Sequence, residues 1–317
     1  MIYTVTFNPA VDVVISVSNL QMGGINRAES QEIYYGGKGI NVSYVLRNLG
    51  RPSTAWGFLA GNMGNAMKGG LEADGLTCDF VMLPEGETRI NTKLRTPDEA
   101  GSIRETAMNA PGPAIDEASL QRFFDKLAGT VDGDVLIVSG AAPGNLGSSM
   151  YERIMKMQEG KDVRVVVDAE GDLLMNTLPL GPFLVKPNDE ELAAIAGCDP
   201  DDREKLIEAA HDLHARGARN VLVSCGGKGA LLVDENGVLH EMDVLKGTLV
   251  NSVGAGDSTV AGFVHGYLKA VEDGVAADEV CGRAFAMAMA CGAATAFSPG
   301  LAAKEDVDRL LEQAVEK

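Results

Sequence analysis

Asp134-Val135-Leu136-Ile137-Val138-Ser139, a helix-spaced stretch over 147–158, and Val163-Arg164-Val165-Val166-Val167-Asp168 together decide the fold. Two apolar runs of strand length, rich in β-branched residues, bracket one amphipathic helix, and that is the pattern of a βαβ unit. The same alternation continues outward in both directions. Segments 39–49, 63–73, 116–128, 188–196 and 202–216 carry helix-like spacing, while 53–59, 182–186 and 219–224 are short apolar runs. The chain is therefore expected to be an α/β protein built on a doubly wound, mostly parallel sheet with helices on both faces.

Two regions break the alternation. Residues 11–17 and 30–35, and then 88–96 and 101–107, read as strand pairs joined by turns such as Thr96-Pro97-Asp98-Glu99-Ala100-Gly101, with no helix between them. They predict a small β-sheet lid, inserted at about 11–35 and 86–110 into what is otherwise one domain over 1–317. The opening strand, Ile2 to Phe7, breaks at Asn8-Pro9 before β-rich sequence resumes at Val11. In the last third, a helix begins near Gly256. A second runs through Ala284-Phe285-Ala286-Met287-Ala288-Met289-Ala290, where small side chains let another backbone or a flat ligand come close.

A chain of 317 residues, 45% hydrophobic, is long enough for a large core. Its formal net charge of -18 repels phosphate backbones and argues against a nucleic-acid partner. An anionic small substrate must then be met by a local cluster of donors. No window long enough to span a bilayer is free of charges or breakers, and the opening residues lack a basic stretch followed by an apolar run and a cleavage site, so a cytoplasmic protein without membrane contact is expected. Cys78, Cys198, Cys225, Cys281 and Cys291 are odd in number and form no C-x-x-C pair, which argues against a disulfide framework and a zinc site. His211 and His214 share a helix face but have no third ligand nearby and read as surface residues.

The strongest chemical signal is Val253-Gly254-Ala255-Gly256-Asp257-Ser258. Gly254, Ala255 and Gly256 leave backbone N–H groups uncovered at a helix start, where the dipole also favours negative charge. Asp257 within that nest reads either as a general base for an attacking hydroxyl or as a helix cap. Ser224-Cys225-Gly226-Gly227-Lys228-Gly229, between two apolar strands, fits a loop along nucleotide phosphates, and it also fits an ordinary hairpin. Gly36-Gly37-Lys38-Gly39-Ile40-Asn41 leads into a helix with a cation at Lys38 and an amide at Asn41 suited to sugar hydroxyls, and it also fits a plain glycine-rich helix entry with a solvated lysine. In Lys186-Pro187-Asn188-Asp189-Glu190-Glu191, Asn188 and Glu191 stand three apart at a helix start, where they could hold the water shell of Mg²⁺ or form a cap. There is no G-x-x-x-x-G-K-[ST] string, and no G-x-G-x-x-G opens a helix after a strand.

Taken in order, Thr6-Phe7-Asn8-Pro9-Ala10-Val11-Asp12, Gly36 to Val42, Lys186-Pro187-Asn188 with Glu191, and Val253 to Ser258 resemble the ribokinase-like, or PfkB, family of carbohydrate kinases over essentially the whole chain. The opening is most similar to the 1-phosphofructokinase and tagatose-6-phosphate kinase branch; Thr88 to Leu94 and Asn109 to Pro113 are more similar to 1-phosphofructokinase. The resemblance implies ATP and Mg²⁺ as cofactors and a small sugar phosphate as acceptor. It implies that Asp12, the Gly36 and Gly37 backbone and Asn41 bind sugar hydroxyls, and that Lys38, Arg89 and Arg104 meet the phosphate already on the sugar, with Ser139 nearby. Lys186, Asn188, Ser224 and Gly226, Gly227, Lys228 and Gly229 would line the ATP phosphates, Asn188 and Glu191 would act on Mg²⁺ through water, and Gly254, Ala255 and Gly256 would form the anion hole for Asp257 as base. Related kinases often read S-G-S-L-P where this chain has Ser139-Gly140-Ala141-Ala142-Pro143, a departure that bears on contacts near Ser139.

The activity so implied is transfer of the ATP γ-phosphoryl group to the 6-hydroxyl of D-fructose 1-phosphate, with tagatose 6-phosphate or fructose 6-phosphate as alternative acceptors. A sensor that kept the fold without catalysis, and a hydride-transfer enzyme, are the readings from other classes. Intact Asp257 and glycines weigh against the first, and the missing dinucleotide fingerprint against the second. The resemblance also implies a possible homodimer through the lid, since lids of this kind often pair.

Overall fold

A computed structural model describes residues 1–98 and 102–315; residues 99–101 of the expected lid turn lie outside it. The main sheet runs in the order β14 (Leu239–Met242), β13 (Ala230–Val233), β12 (Asn220–Ser224), β11 (Leu184–Val185), β10 (Arg164–Asp168), β9 (Val135–Ser139), β1 (Ile2–Thr6), β4 (Thr54–Ala60) and β5 (Thr77–Cys78), with β6 (Val81–Leu83) also on β4. From β5 to β12 the pairing is parallel; β12, β13 and β14 form an antiparallel meander at the edge. The Gly226 loop thus turns a hairpin, as one of its two expected forms required.

Helices cover both faces, which is why strands such as β9 read as unbroken apolar runs. Leu136 and Val138 point into a core with α3 (Glu117–Ala128), α4 (Met150–Met157), α5 (Asp172–Met175), α6 (Asp189–Ala196) and α7 (Arg203–Ala215). Val135 and Ile137 point the other way, toward α1 (Lys38–Asn48), α8 (Ala255–Glu272), α9 (Ala277–Ala296) and α10 (Lys304–Val315). A third cluster joins Ile40 and Leu59 to Met67 and Leu71 of α2 (Gly61–Ala73). Fully burying each such side chain contributes about 1.5–3 kcal/mol, so a charge placed at Ile137 would break the central layer. On the α8 side the small-residue pattern does what it promised. A Cβ on Gly262 would meet the Met287 carbonyl oxygen at 2.7 Å, so α8 and α9 pack backbone to backbone.

The lid is a separate sheet in the order β3 (Ser30–Gly36), β2 (Ala10–Ser16), β7 (Arg89–Pro97) and β8 (Ile103–Met108). The two expected hairpins are present, and a parallel pairing of β2 with β7 fuses them into one plate. The break at Asn8-Pro9 is where the chain leaves the main sheet for the lid. No helix among the described residues is long and apolar enough to cross a membrane.

Candidate active site

In an open α/β sheet the ligand crevice lies beyond the carboxyl ends of the strands where the chain order reverses. Here the chain runs from β1 to β4 on one side and returns to β9 on the other, so the crevice opens between β1 and β9. The two strands end on paired residues, Thr6 opposite Ser139, and Asp168 at the end of β10 pairs with Ser139 in turn. Buried polar groups are normally hydrogen-bonded. Among the described residues, the eight buried side-chain polar atoms without a hydrogen-bond partner include Thr6 Oγ1, Asn8 Oδ1, Arg89 Nε, Ser139 Oγ and Asp168 Oδ2, all at this crevice or at the base of the lid. A group of unmet donors and acceptors at a switch point is what a polar ligand would satisfy.

Asp257 lies in the first turn of α8, 7% exposed. The helix is capped by Gly254 at φ +83°, a left-handed conformation that favours glycine, with no side-chain cap. Asp257 therefore does not serve as the N-cap. Its Oδ2 instead accepts a 2.7 Å hydrogen bond from Nδ2 of Asn41, which ties the first turn of α1 to the first turn of α8. Burial and, after it, the Asp168 carboxylate together push the Asp257 pKa up to about 7, against the hydrogen bond from Asn41 and the charges of Lys38 and Lys186. A carboxyl group poised near neutrality can take and release a proton at working pH.

The two lysines converge on Asp168. Lys38 Nζ is 3.5 Å from its Oδ2 and Lys186 Nζ 3.4 Å from its Oδ1. Lys186 is buried, and a Cβ on Gly256 would lie 3.3 Å from its Nζ, so its ammonium borders the glycine nest. Burial lowers the Lys38 pKa, but the carboxylates of Asp168, Asp257, Glu191 and Glu170 more than offset this and raise it. Asp168 was not among the residues expected from sequence. A strand-end aspartate looks like a turn residue, and its position at the carboxyl end of a central parallel strand was the available signal.

On the lid side, Asp12 in β2 stands opposite Asn91 in β7. Asp12 Oδ1 accepts from Asn91 Nδ2 at 2.9 Å, and its Oδ2 is 3.3 Å from Lys93 Nζ. Gly36 borders the same carboxylate, with Gly37 following as the N-cap of α1. Arg89 is half-buried at the start of β7 and donates to the Ala110 carbonyl at 3.2 Å; burial lowers its pKa, against the pull of Asp12. Of the three cations expected around the acceptor phosphate, Arg104 stands apart from Arg89. Lys38 is held by Asp168, Arg89 feels the charge of Asp12, and Arg104 pairs with Asp98 at the far end of the lid, its side chain 76% exposed. Arg104 stands opposite Thr96, seven residues along β7 from Arg89, or roughly 23 Å.

On the expected nucleotide side, Asn188 bridges to Ser224 at the end of β12, and the Gly226–Lys228 turn is closed by Cys225 N–H to the Gly229 carbonyl at 2.8 Å. Lys228 Nζ pairs with Asp189, next to Asn188, and with Asp201, at 2.8 Å each. Asn188 and Glu191 form a complete capping box, Asn188 Oδ1 accepting from Glu191 N–H at 2.7 Å and Glu191 Oε2 from Asn188 N–H at 2.9 Å. Burial raises the Glu191 pKa, opposed by the Asn188 N–H, Lys186 and Lys38. Among the described residues no three His, Cys, Asp or Glu side chains cluster to hold a metal. His214 Nδ1 contacts the Ala218 carbonyl at 2.9 Å instead. The donors present fit an ion that keeps most of its water and is held chiefly by substrate phosphates, as Mg²⁺ is. Asp168 Oδ2 has no hydrogen-bond partner, and Glu191 is close enough to Lys38 and Lys186 for their charges to act on it.

Comparison with known proteins bears on the same geometry. The sequence profile described as pfkB family carbohydrate kinase matches residues 5–307. The chain is 38% identical over 313 residues to a 1-phosphofructokinase of Bacillus subtilis, covering 99% of this chain and 98% of that protein. It is 33% identical over 314 residues to a D-tagatose-1-phosphate kinase of Bacillus licheniformis, covering 99% and 98%. Among solved structures, phosphofructokinase-2 of Escherichia coli in complex with substrates and products aligns with a TM-score of 0.85 at 25% identity, covering 99% of each chain. With a lid over a switch-point crevice, a glycine-capped helix carrying Asp257 and a profile match spanning nearly its whole length, the chain belongs to the pfkB family of carbohydrate kinases.

Proposed function

We propose that this kinase transfers the γ-phosphoryl group of ATP to the 6-hydroxyl of D-fructose 1-phosphate, giving fructose 1,6-bisphosphate. The observation that carries the chemistry is the 2.7 Å hydrogen bond between Asn41 and buried Asp257, which joins the sugar-side loop to the glycine nest. The relatives named for fructose 1-phosphate and tagatose 1-phosphate support an acceptor already phosphorylated at C1. They also make tagatose 1-phosphate a nearer alternative than tagatose 6-phosphate. Fructose 6-phosphate is the remaining one.

In this reading Asp12, Asn41 and the Gly36 and Gly37 backbone hold the sugar so that one hydroxyl points at Asp257. Asp257 takes the proton as the oxygen attacks phosphorus. The bond from the γ-phosphorus to the β–γ bridging oxygen breaks, and ADP leaves with that electron pair. First-turn N–H groups of α8 lack i−4 carbonyls by helix geometry and face the charge that develops on the transferred group, with Lys186 beside them. Lys186, Asn188, Ser224 and the Gly226–Gly229 turn align the ATP phosphates. Mg²⁺, when bound, supplies charge neutralisation on those phosphates; Glu191, Asn188 and Asp168 are the side chains that would hold its water shell. Residues 1–317 work as one kinase unit whose lid closes the crevice, in the cytoplasm where ATP and sugar phosphates are found. The exposed lid side chains Ile33, Ile103 and Met108 support pairing through the lid with a second copy, which light scattering of the purified protein tests.

A coupled ADP-release assay over fructose 1-phosphate, fructose 6-phosphate, tagatose 1-phosphate, tagatose 6-phosphate and the free sugars tests the acceptor. The highest kcat/KM is expected for fructose 1-phosphate. A preference for a free sugar would refute the assignment, and no ADP release with any of them would favour the sensor.

A further inference from the structure

Successive residues of a strand face opposite ways, so Arg89, Asn91 and Lys93 lie along one face of β7. Asn91 stands directly opposite Asp12, with Arg89 and Lys93 two residues to either side of it. Both cations act on Asp12: Lys93 Nζ is 3.3 Å from Oδ2, and Arg89 feels the same carboxylate. The Lys93 and Asp12 side chains are each 19% exposed, so this ion pair sits inside the lid rather than on its surface. Asn91 is fixed as well, since its amide donates to Asp12 and its carbonyl accepts from the Ala110 N–H at 3.2 Å.

We infer that Lys93 is the second cation of the acceptor-phosphate site, held by Asp12 until substrate arrives. Asp12 has both carboxylate oxygens engaged, one by Asn91 and one by Lys93. To accept a sugar hydroxyl it gives up the weaker of these, the 3.3 Å contact to a flexible ammonium, and keeps the Asn91 amide that orients it. The released ammonium has a four-carbon tether and three donors, and it joins Arg89 at the phosphate that enters with the sugar. Hydroxyl recognition and phosphate recognition are coupled through one ion-pair exchange: a free sugar would break the Asp12–Lys93 pair and give Lys93 nothing in return. This inference rests on the sugar-phosphate reading of the site and names the residue that enforces it.

The test compares Lys93→Met and Lys93→Arg with the wild-type kinase. KM is measured for fructose 1-phosphate and for ATP, and the inhibition constant for unphosphorylated fructose as a competitor. Lys93→Met is expected to raise KM for fructose 1-phosphate roughly ten- to hundredfold, the size of a lost charge-assisted contact, with KM for ATP and the fructose inhibition constant within a few fold. Lys93→Arg should recover most of the loss. If Lys93→Met weakens fructose and fructose 1-phosphate equally, Lys93 only props up Asp12 and the inference is overturned. An unchanged fructose 1-phosphate KM in a folded, active Lys93→Met protein overturns it too, and leaves the proposed function standing. A wild-type enzyme indifferent to the sugar's phosphate overturns both.

Discussion

Asp257→Asn separates a catalytic base from a helix-start acid. The amide keeps the volume and leaves an oxygen for the Asn41 donor, but it cannot take a proton. If Asp257 is the base, kcat falls by about 10²–10⁴. ATP affinity holds or tightens, because a negative charge beside an anionic ligand has gone. Stability moves in the opposite direction from activity. An aspartate titrates near 3.9 when unfolded, and here its folded value is pushed up to about 7. Between those values the folded protein holds a proton that the unfolded chain has released. The group's contribution to stability therefore falls as pH rises through the window, and its penalty is complete above about 7. The ceiling on that penalty is about 4 kcal/mol, or roughly 1.5 °C of melting temperature per kcal/mol for a chain of this size. Asp257→Asn should thus melt several degrees above wild type near pH 8 and draw closer to it near pH 5. ADP release and scanning fluorimetry on both proteins across that range give all the numbers. Turnover within a few fold of wild type, with a lower melting point at both ends, would refute the reasoning.

Asp168→Asn removes the carboxylate that raises the Asp257 pKa and frees two lysines that lower it. The acidic limb of the kcat/KM profile should move to lower pH, and an unmoved limb takes Asp168 out of the proton balance. Glu191→Gln keeps the capping-box geometry while removing charge, so the Mg²⁺ concentration for half-maximal rate should rise with little change in melting temperature. Unaltered Mg²⁺ dependence would leave Glu191 as a cap alone. Arg89→Ala should raise KM for the sugar phosphate roughly ten- to hundredfold with ATP KM nearly constant; equal effects on both substrates would point to a folding defect at the lid base.

The main sheet was legible because β9, β10 and β12 are buried on both faces and read as continuous apolar runs, and the lid because its strand pairs are joined by turns with no helix between them. α10 went unmarked although Val307, Leu310 and Ala314 are spaced to face the core. The glycine motifs led to one crevice, where Asp257, Asn41, Lys38 and Lys186 converge. Position along a motif did not reveal pairing across the fold. Arg104 and Lys228 were counted as site cations for their charge, and the structure pairs Arg104 with Asp98 and Lys228 with Asp189 and Asp201. Lys93 and Asn91 were passed over because the role proposed for Lys93 depends on the register of β7 against β2, which no local pattern encodes. Asp168 was missed for a related reason: its weight comes from two lysines far from it in sequence.

The parallel joint between β2 and β7 pairs residues 79 positions apart and carries the proposed acceptor side of the crevice. During synthesis the first lid hairpin must wait for β4, α2 and the strands beyond them before its mate exists, and non-local pairing of this kind forms late. Its register matters more than that of either hairpin, because a slip of one residue would turn Arg89, Asn91 and Lys93 outward together. A chain could then reach its full helical content and a native main core with a plate that closes over the crevice yet presents the wrong face. Quality control that senses exposed core would pass such a molecule, and only a measurement of sugar-phosphate binding would expose it.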